Sequence, residues 1–297
     1  MANLLSERSR VCIIAMGRGG PKKPEVIKRS ETVMDPGFLL EISRKGMHAS
    51  SDYIEDAFFS RADTVGCRRC GGGFGGKFFM SNIADGIKKA QSLNPEVLLI
   101  EGSGASIPPV NNDFNICVIG GNQSWDSIVG YLGIYRILIS DIVFLTMCEY
   151  PLSGKENTDY LISMIKKIKP QAKIIKSIFR PAPLYDISNK KLFVVMTSDS
   201  SIKNTIRSYL EKKYNCRVVK MSFNLSNRKK LAEELNEPGD FDMLVTELKA
   251  ASVDMVTEFA YKKKKEINYI NNVPVITGGR QYLKDLINKM ENFKNGK

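Results

Sequence analysis

Two arginines and a lysine stand among glycines between Gly66 and Lys77, where Arg68, Arg69 and Lys77 share a stretch with Gly71, Gly72, Gly73, Gly75 and Gly76. Guanidinium groups grip phosphate oxygens in pairs, and glycines let the backbone approach an anion closely. That combination suits a multiply charged phosphate ester. Cys67 and Cys70 flank the arginines. A lone CxxC is a weak metal signal without a second pair or suitably spaced histidines, and His48 is the only histidine. A redox pair would place its first cysteine at a helix start, without two arginines between the thiols. Gly71 to Lys77 fits GxxxxGK, but Phe78 stands where the phosphate-binding loop of nucleotide enzymes needs Ser or Thr. It therefore reads as a substrate loop, and no other segment reads GxxxxGK followed by Ser or Thr.

Two further glycine-rich segments follow apolar runs. Met16 to Pro21 contains Arg18, with Lys22 and Lys23 just beyond. Arg18 suits a bidentate phosphate contact, whereas the two lysines read as solvated loop residues. Glu101 opens a segment through Gly102, Ser103 and Gly104, directly after Val97 to Ile100. A carboxylate at a strand end can hold Mg²⁺ beside a phosphate, although glycines there also serve plain turns.

These segments need strands to end on. Val11 to Ala15, Thr64 to Cys67, Val97 to Ile100, Ile116 to Ile119, Ile142 to Thr146 and Lys173 to Phe179 are strand-like, with helical stretches between them. Asp35-Pro36 predicts a cap followed by Pro at the first helical position. Pro181 to Lys190 reads as a linker. Beyond it, strands near Leu192, Arg217, Met243 and Val273 alternate with helices. The expected fold class is α/β: parallel sheets in tandem, with a domain at 1–185 and a smaller one at 190–297. In the second domain Lys249, Thr197 and Thr277 lie at strand ends, and Lys249 can reach a substrate phosphate or simply serve an αβ turn.

The 297 residues carry 44 Lys and Arg against 32 Asp and Glu, a net charge of +12. Such an excess favours anionic partners. Much of it is lysine scattered along predicted helices, without the dense stripe and interleaved aromatics of nucleic-acid binders. No signal peptide or membrane-length apolar run is visible, and the six cysteines lack a disulfide framework. A reduced cytoplasmic location is expected, with no nucleic-acid or membrane partner and an open possibility of a homo-oligomer.

In order and nearly letter for letter, the three glycine-rich segments resemble the cyclic 2,3-diphosphoglycerate synthetase family, and the resemblance runs along most of the chain. It implies a P-loop-type, dethiobiotin synthetase-like domain and ATP-dependent closure of a phosphoanhydride on 2,3-bisphosphoglycerate, releasing ADP and Pi. By the same resemblance, Arg18, Arg68, Arg69, His48 and Asp52 are catalytic candidates. Lys77, Gly71, Gly72, Gly73 and Lys249 would bind substrate. Gly102, Ser103, Gly104 and Arg180 would face ATP, with Glu101 on Mg²⁺. His48 and Asp52 can equally be a packed residue and a helix cap, and Arg180 can simply end its domain. Glu55 reads as a first-turn residue. The family carries its P-loop upstream of the helix whose tail opens this sequence. The chain is accordingly expected to lack the P-loop and its N-terminal domain, to be inactive alone, and to draw the loop from a separately encoded portion if at all. A dethiobiotin synthetase-like ligase or kinase on another acid, and a non-catalytic phosphometabolite-binding remnant, are the alternative readings.

Overall fold

The computed structural model describes residues 1–47, 51–70, 79–102, 107–250 and 252–294. In chain order the strands are β1 (Val11–Gly17), β2 (Glu25–Ile27), β3 (Asp63–Cys70), β4 (Met80–Ser81), β5 (Val97–Glu101), β6 (Ile116–Gly120), β7 (Ile142–Thr146), β8 (Ile174–Pro183), β9 (Lys191–Val195), β10 (Arg217–Ser222), β11 (Met243–Glu247) and β12 (Glu266–Gly278). The helices are α1 (Ala2–Leu5), α2 (Pro36–Arg44), α3 (Asp52–Phe59), α4 (Ile83–Gln91), α5 (Trp125–Val129), α6 (Gly133–Ile139), α7 (Lys155–Ile168), α8 (Lys203–Tyr214), α9 (Arg228–Asn236), α10 (Val253–Lys262) and α11 (Arg280–Lys294). Two compact units form, one from Met1–Ser106 with Pro181–Asn271, the other from Ile107–Arg180 with Asn272–Lys297.

The first unit holds two strand sets. One runs β2-β3-β1-β5, with β4 on the far end of β3. Every residue of β1 is buried, as a strand covered on both faces requires. It pairs parallel with β3 and β5, which brings Gly17 beside Arg68 and Ala15 beside Glu101. β2 and β4 run antiparallel to β3, so this sheet is mixed and not wholly parallel as expected. The pairing of β4 also carries β3 through Arg68, Arg69 and Cys70. The two arginines belong to a strand, not to the glycine loop that follows.

The other set runs β10-β9-β11-β12, all parallel. The chain leaves β9 toward β10 on one side and leaves β11 toward β12 on the other. The carboxyl ends of β9 and β11 therefore flank a topological switch point, where open α/β sheets place their ligands. Strand and helix faces of the two sets share one core. In it Ala15, Leu39, Ile54 and Phe58 pack with Leu248, Val253 and Tyr269. Phe58 and Tyr269 meet edge to face, their ring centroids 5.5 Å apart.

α2 begins as its sequence dictates: the Asp35 carboxylate accepts from Phe38 N at 2.8 Å, ahead of Pro36 at the first helical position. In the second unit β6, β7 and β8 pair parallel around a core of Ile119, Val143, Leu145, Leu161 and Ile165. The helical stretch between β6 and β7 is broken into α5 and α6. Gly130 ends α5, and Tyr131 takes a left-handed φ of 52°. At Gly133 a Cβ would lie 1.8 Å from the Ile128 carbonyl oxygen, so the turn closes only on glycine.

Candidate active site

The loop after β1 is pressed against β3. A Cβ at Gly20 would lie 1.9 Å from the Cys67 carbonyl oxygen, so only glycine permits this approach. Asn82, at the start of α4, ties the two together. Its side-chain oxygen accepts from Arg68 N at 2.7 Å, and its amide nitrogen donates to the Pro21 and Lys22 carbonyls at 3.0 Å each. Arg68 Nε donates to the Gly20 carbonyl. Arg69 reaches the Ser81 hydroxyl at 3.5 Å. Arg18 is exposed at the loop tip, and its carbonyl accepts from Cys70 Sγ. Arg18 and Arg68 thus border one loop. Burial, with Asp85 nearby, pushes the Cys67 thiol up to about 11, which makes it a poor nucleophile at neutral pH.

Beside that loop stands a group of carboxylates. Asp52, Glu55 and Asp56 occupy the first turns of α3 at spacings of three and four, which puts them on one helix face. Asp52 reaches the end of β1, with one oxygen 3.1 Å from where a Cβ on Gly17 would be. Glu101 ends β5. From the other strand set Lys249 approaches Glu55 at 3.5 Å and Asp52 at 3.8 Å. Two carboxylates thus face one ammonium directly, and Glu101 and Asp56 act on it through their charge.

Their electrostatics follow from crowding. Burial, then the charge of Glu101 and its neighbours on α3, pushes Asp56 up to about 8. Burial, then Asp52, pushes Glu101 up to about 7. Glu55 is also raised, chiefly by burial. Desolvation works against the charge of Lys249, but Glu55, Asp52, Glu101 and Asp56 together outweigh it and hold the ammonium above its ordinary value. Among the described residues, Glu101 Oε1 and Asp56 Oδ2 are buried without a hydrogen-bond partner. Glu247, at the end of β11, is buried and satisfied: it accepts from Thr197 N at 2.6 Å and Thr197 Oγ1 at 2.7 Å across the switch point.

Of the residues expected from sequence, Arg18, Arg68, Arg69, Asp52, Glu101, Gly102 and Lys249 fall within the described residues of the first unit, and the carboxylate group unites Asp52, Glu101 and Lys249. Arg180 belongs to the second unit, where it forms a bidentate pair with Glu149 at 2.5 and 2.7 Å. His48, Gly71, Gly72, Gly73, Lys77, Ser103 and Gly104 lie outside the described residues. Sequence reasoning took Glu55 for a first-turn helix residue and passed over Asp56 and Asn82. The D-x-x-E-D spacing of Asp52, Glu55 and Asp56 carried the signal for the first two. Nothing local marks Asn82, whose partners lie on two other segments.

Comparison with known proteins gives this geometry a lineage. Residues 2–178 match the profile of the cyclic 2,3-diphosphoglycerate synthetase P-loop domain, and residues 183–273 match that of the C-terminal domain of the same enzyme. The chain belongs to the cyclic 2,3-diphosphoglycerate synthetase family. It is 42% identical to the synthetase of Methanothermobacter thermautotrophicus over 282 residues, covering 94% of this chain and 61% of that protein. It is 40% identical to the synthetase of Rubrobacter xylanophilus over 279 residues, 94% of this chain and 63% of the relative. The chain thus spans about three fifths of the length of these curated relatives. The match of residues 2–178 to the family's P-loop domain agrees with a P-loop-type domain at the start of the chain and overturns the expectation that a separately encoded portion supplies the P-loop. Among solved structures, "apo" form LpxK from Aquifex aeolicus in complex with ATP aligns with a TM-score of 0.51 at 14% identity, covering 97% of this chain and 81% of that one. The likeness supports the α/β fold of a P-loop domain. No helix among the described residues is long and apolar enough to cross a membrane.

Proposed function

We propose that this chain carries out, or carries the greater part of, the ATP-dependent cyclisation of 2,3-bisphosphoglycerate to cyclic 2,3-diphosphoglycerate. The observation that carries the reading is the convergence of Asp52, Glu55, Asp56, Glu101 and Lys249 beside the Gly17–Gly20 loop, in a chain of the synthetase family. Closing the ring forces two phosphates together. Their repulsion in a partly desolvated site must be offset by fixed cations. Arg18, in the loop after β1, and Arg68 and Arg69, on β3, would bind the substrate's phosphates and carboxylate, with Lys77 beyond them in the chain. Asn82 orients this set by fixing the loop to β3.

Mg²⁺ fits the carboxylate side of the site. Glu101 Oε1 is a buried oxygen without a partner among the described residues, and Mg²⁺ in nucleotide enzymes takes one or two carboxylates and completes its shell with phosphates and water. Glu101, with Asp52 next to it, would hold the ion, which when bound supplies charge neutralisation between phosphates. In its absence Asp56 holds a proton on its carboxyl at neutral pH, given its value of about 8. ATP is the proposed phosphoryl donor, with Gly102, Ser103 and Gly104 near its phosphates.

Phosphorus NMR of the chain with ATP, Mg²⁺ and 2,3-bisphosphoglycerate tests the proposal. Phosphoanhydride resonances of the cyclic product, rising together with ADP and Pi, are expected. ATP hydrolysis indifferent to bisphosphoglycerate, or no turnover and no bisphosphoglycerate binding, would reject it.

A further inference from the structure

The contacts of Lys249 are not those of a finished ion pair. Its ammonium lies 3.5 Å from Glu55 and 3.8 Å from Asp52, longer than a charge-assisted hydrogen bond of about 2.7–2.9 Å. The side chain is 61% exposed, whereas Asp52 and Glu55 are 22% and 24% exposed. A more exposed cation therefore rests against carboxylates that are themselves largely enclosed. Behind them, Glu101 Oε1 and Asp56 Oδ2 are buried and lack hydrogen-bond partners among the described residues. The group holds more negative charge than one lysine neutralises, and it retains buried acceptor oxygens that the lysine does not use. Glu247, the other carboxylate at the end of β11, accepts from Thr197 and adds to this negative charge, raising Glu55 further.

We infer that Lys249 is a place-holder for a divalent cation: its ammonium occupies the Asp52–Glu55 mouth of the carboxylate group, and a cation entering toward Glu101 displaces it and frees it for a substrate phosphate. The inference rests on the reading that Glu101 takes part in holding a metal ion. It makes Lys249 a positioning residue that couples cation entry to anion binding. A lysine suits the role better than an arginine, because a flexible, strongly hydrated point charge is exchanged more easily than a planar fork fixed by two bonds. Both cations cannot sit at the mouth together, since unit charges about 4 Å apart repel strongly where water is partly excluded.

Mn²⁺ binding to the full chain, followed by the electron paramagnetic resonance of the free ion, reads this directly. Lys249→Met should tighten Mn²⁺ about fivefold or more, because the competing charge is gone, and Lys249→Arg should not. An unchanged or weaker affinity in Lys249→Met overturns the inference. Acylation of Lys249 in the wild-type chain, read by mass spectrometry, provides a measurement that does not depend on a variant folding. Saturating Mn²⁺ should raise its labelling relative to Lys166 on α7. Unchanged or reduced labelling counts against displacement. Glu101→Gln separates the two levels: if it leaves Mn²⁺ affinity intact while Lys249→Met still tightens it, the metal role of Glu101 fails and the competition by Lys249 stands.

Discussion

Asp56 and Glu101 carry protons that ordinary carboxyls would have lost, and this ties stability to pH. Asp56 is raised to about 8 and Glu101 to about 7, both chiefly by burial. A carboxyl whose folded value lies above its unfolded one binds more protons in the native state. Its contribution is therefore complete below about pH 4 and is lost as pH climbs through the folded values. Between about pH 5 and 9, without divalent cations, the melting temperature should fall. Asp56→Asn mimics the protonated form and should flatten that slope, retaining stability at pH 9 that the wild type loses, on the order of 1–3 kcal/mol. Thermal melts of both proteins across this range check it, and parallel slopes would show that Asp56 titrates normally. Of these residues Glu101 was legible in sequence, because a carboxylate before glycines at a strand end has a local signature. Asp56 was not. Its perturbation comes from Glu101, 45 positions away in the chain, and from the packing of α3 on β3 and β1.

At the level of elements, the loop after β1 owes its shape to a side chain outside it. Asn82 makes three hydrogen bonds that connect β3 to Pro21 and Lys22. Asn82→Ala leaves one backbone donor and two carbonyls without their partner. It should cost about 2–4 kcal/mol, and it should weaken bisphosphoglycerate binding more than ATP binding. Urea unfolding and calorimetric titration with each ligand test this. Equal losses for the two ligands would place the loop against the nucleotide. The strands themselves were readable wherever apolar runs were unbroken, as in β1, β7, β9 and β11. β4 and the carboxyl half of β3 were hidden, because a two-residue partner strand and a run of arginines have no periodicity of their own. The break between α5 and α6 was hidden for a related reason: Gly130 and Gly133 matter through contacts with the preceding turn, not through propensity alone.

On the scale of the molecule, the first unit is discontinuous in sequence. Leu39, Ile54 and Phe58 share a core with Leu248, Val253 and Tyr269, which follow more than 180 residues later. A fragment of residues 1–185 removes the second group and bares the first. It should lose cooperative unfolding and bind a hydrophobic dye, whereas the full chain should not. A sharp melt of the fragment would show that its half of this core suffices. The same arrangement gives the site a schedule. Glu101 leaves the ribosome 148 residues ahead of Lys249, a delay of roughly 7–30 s at about 5–20 residues per second. During that interval Asp52, Glu55, Asp56 and Glu101 are already made while Lys249 and its half of the shared core are not, so the carboxylate group can be assembled only after the chain past Tyr269 has emerged.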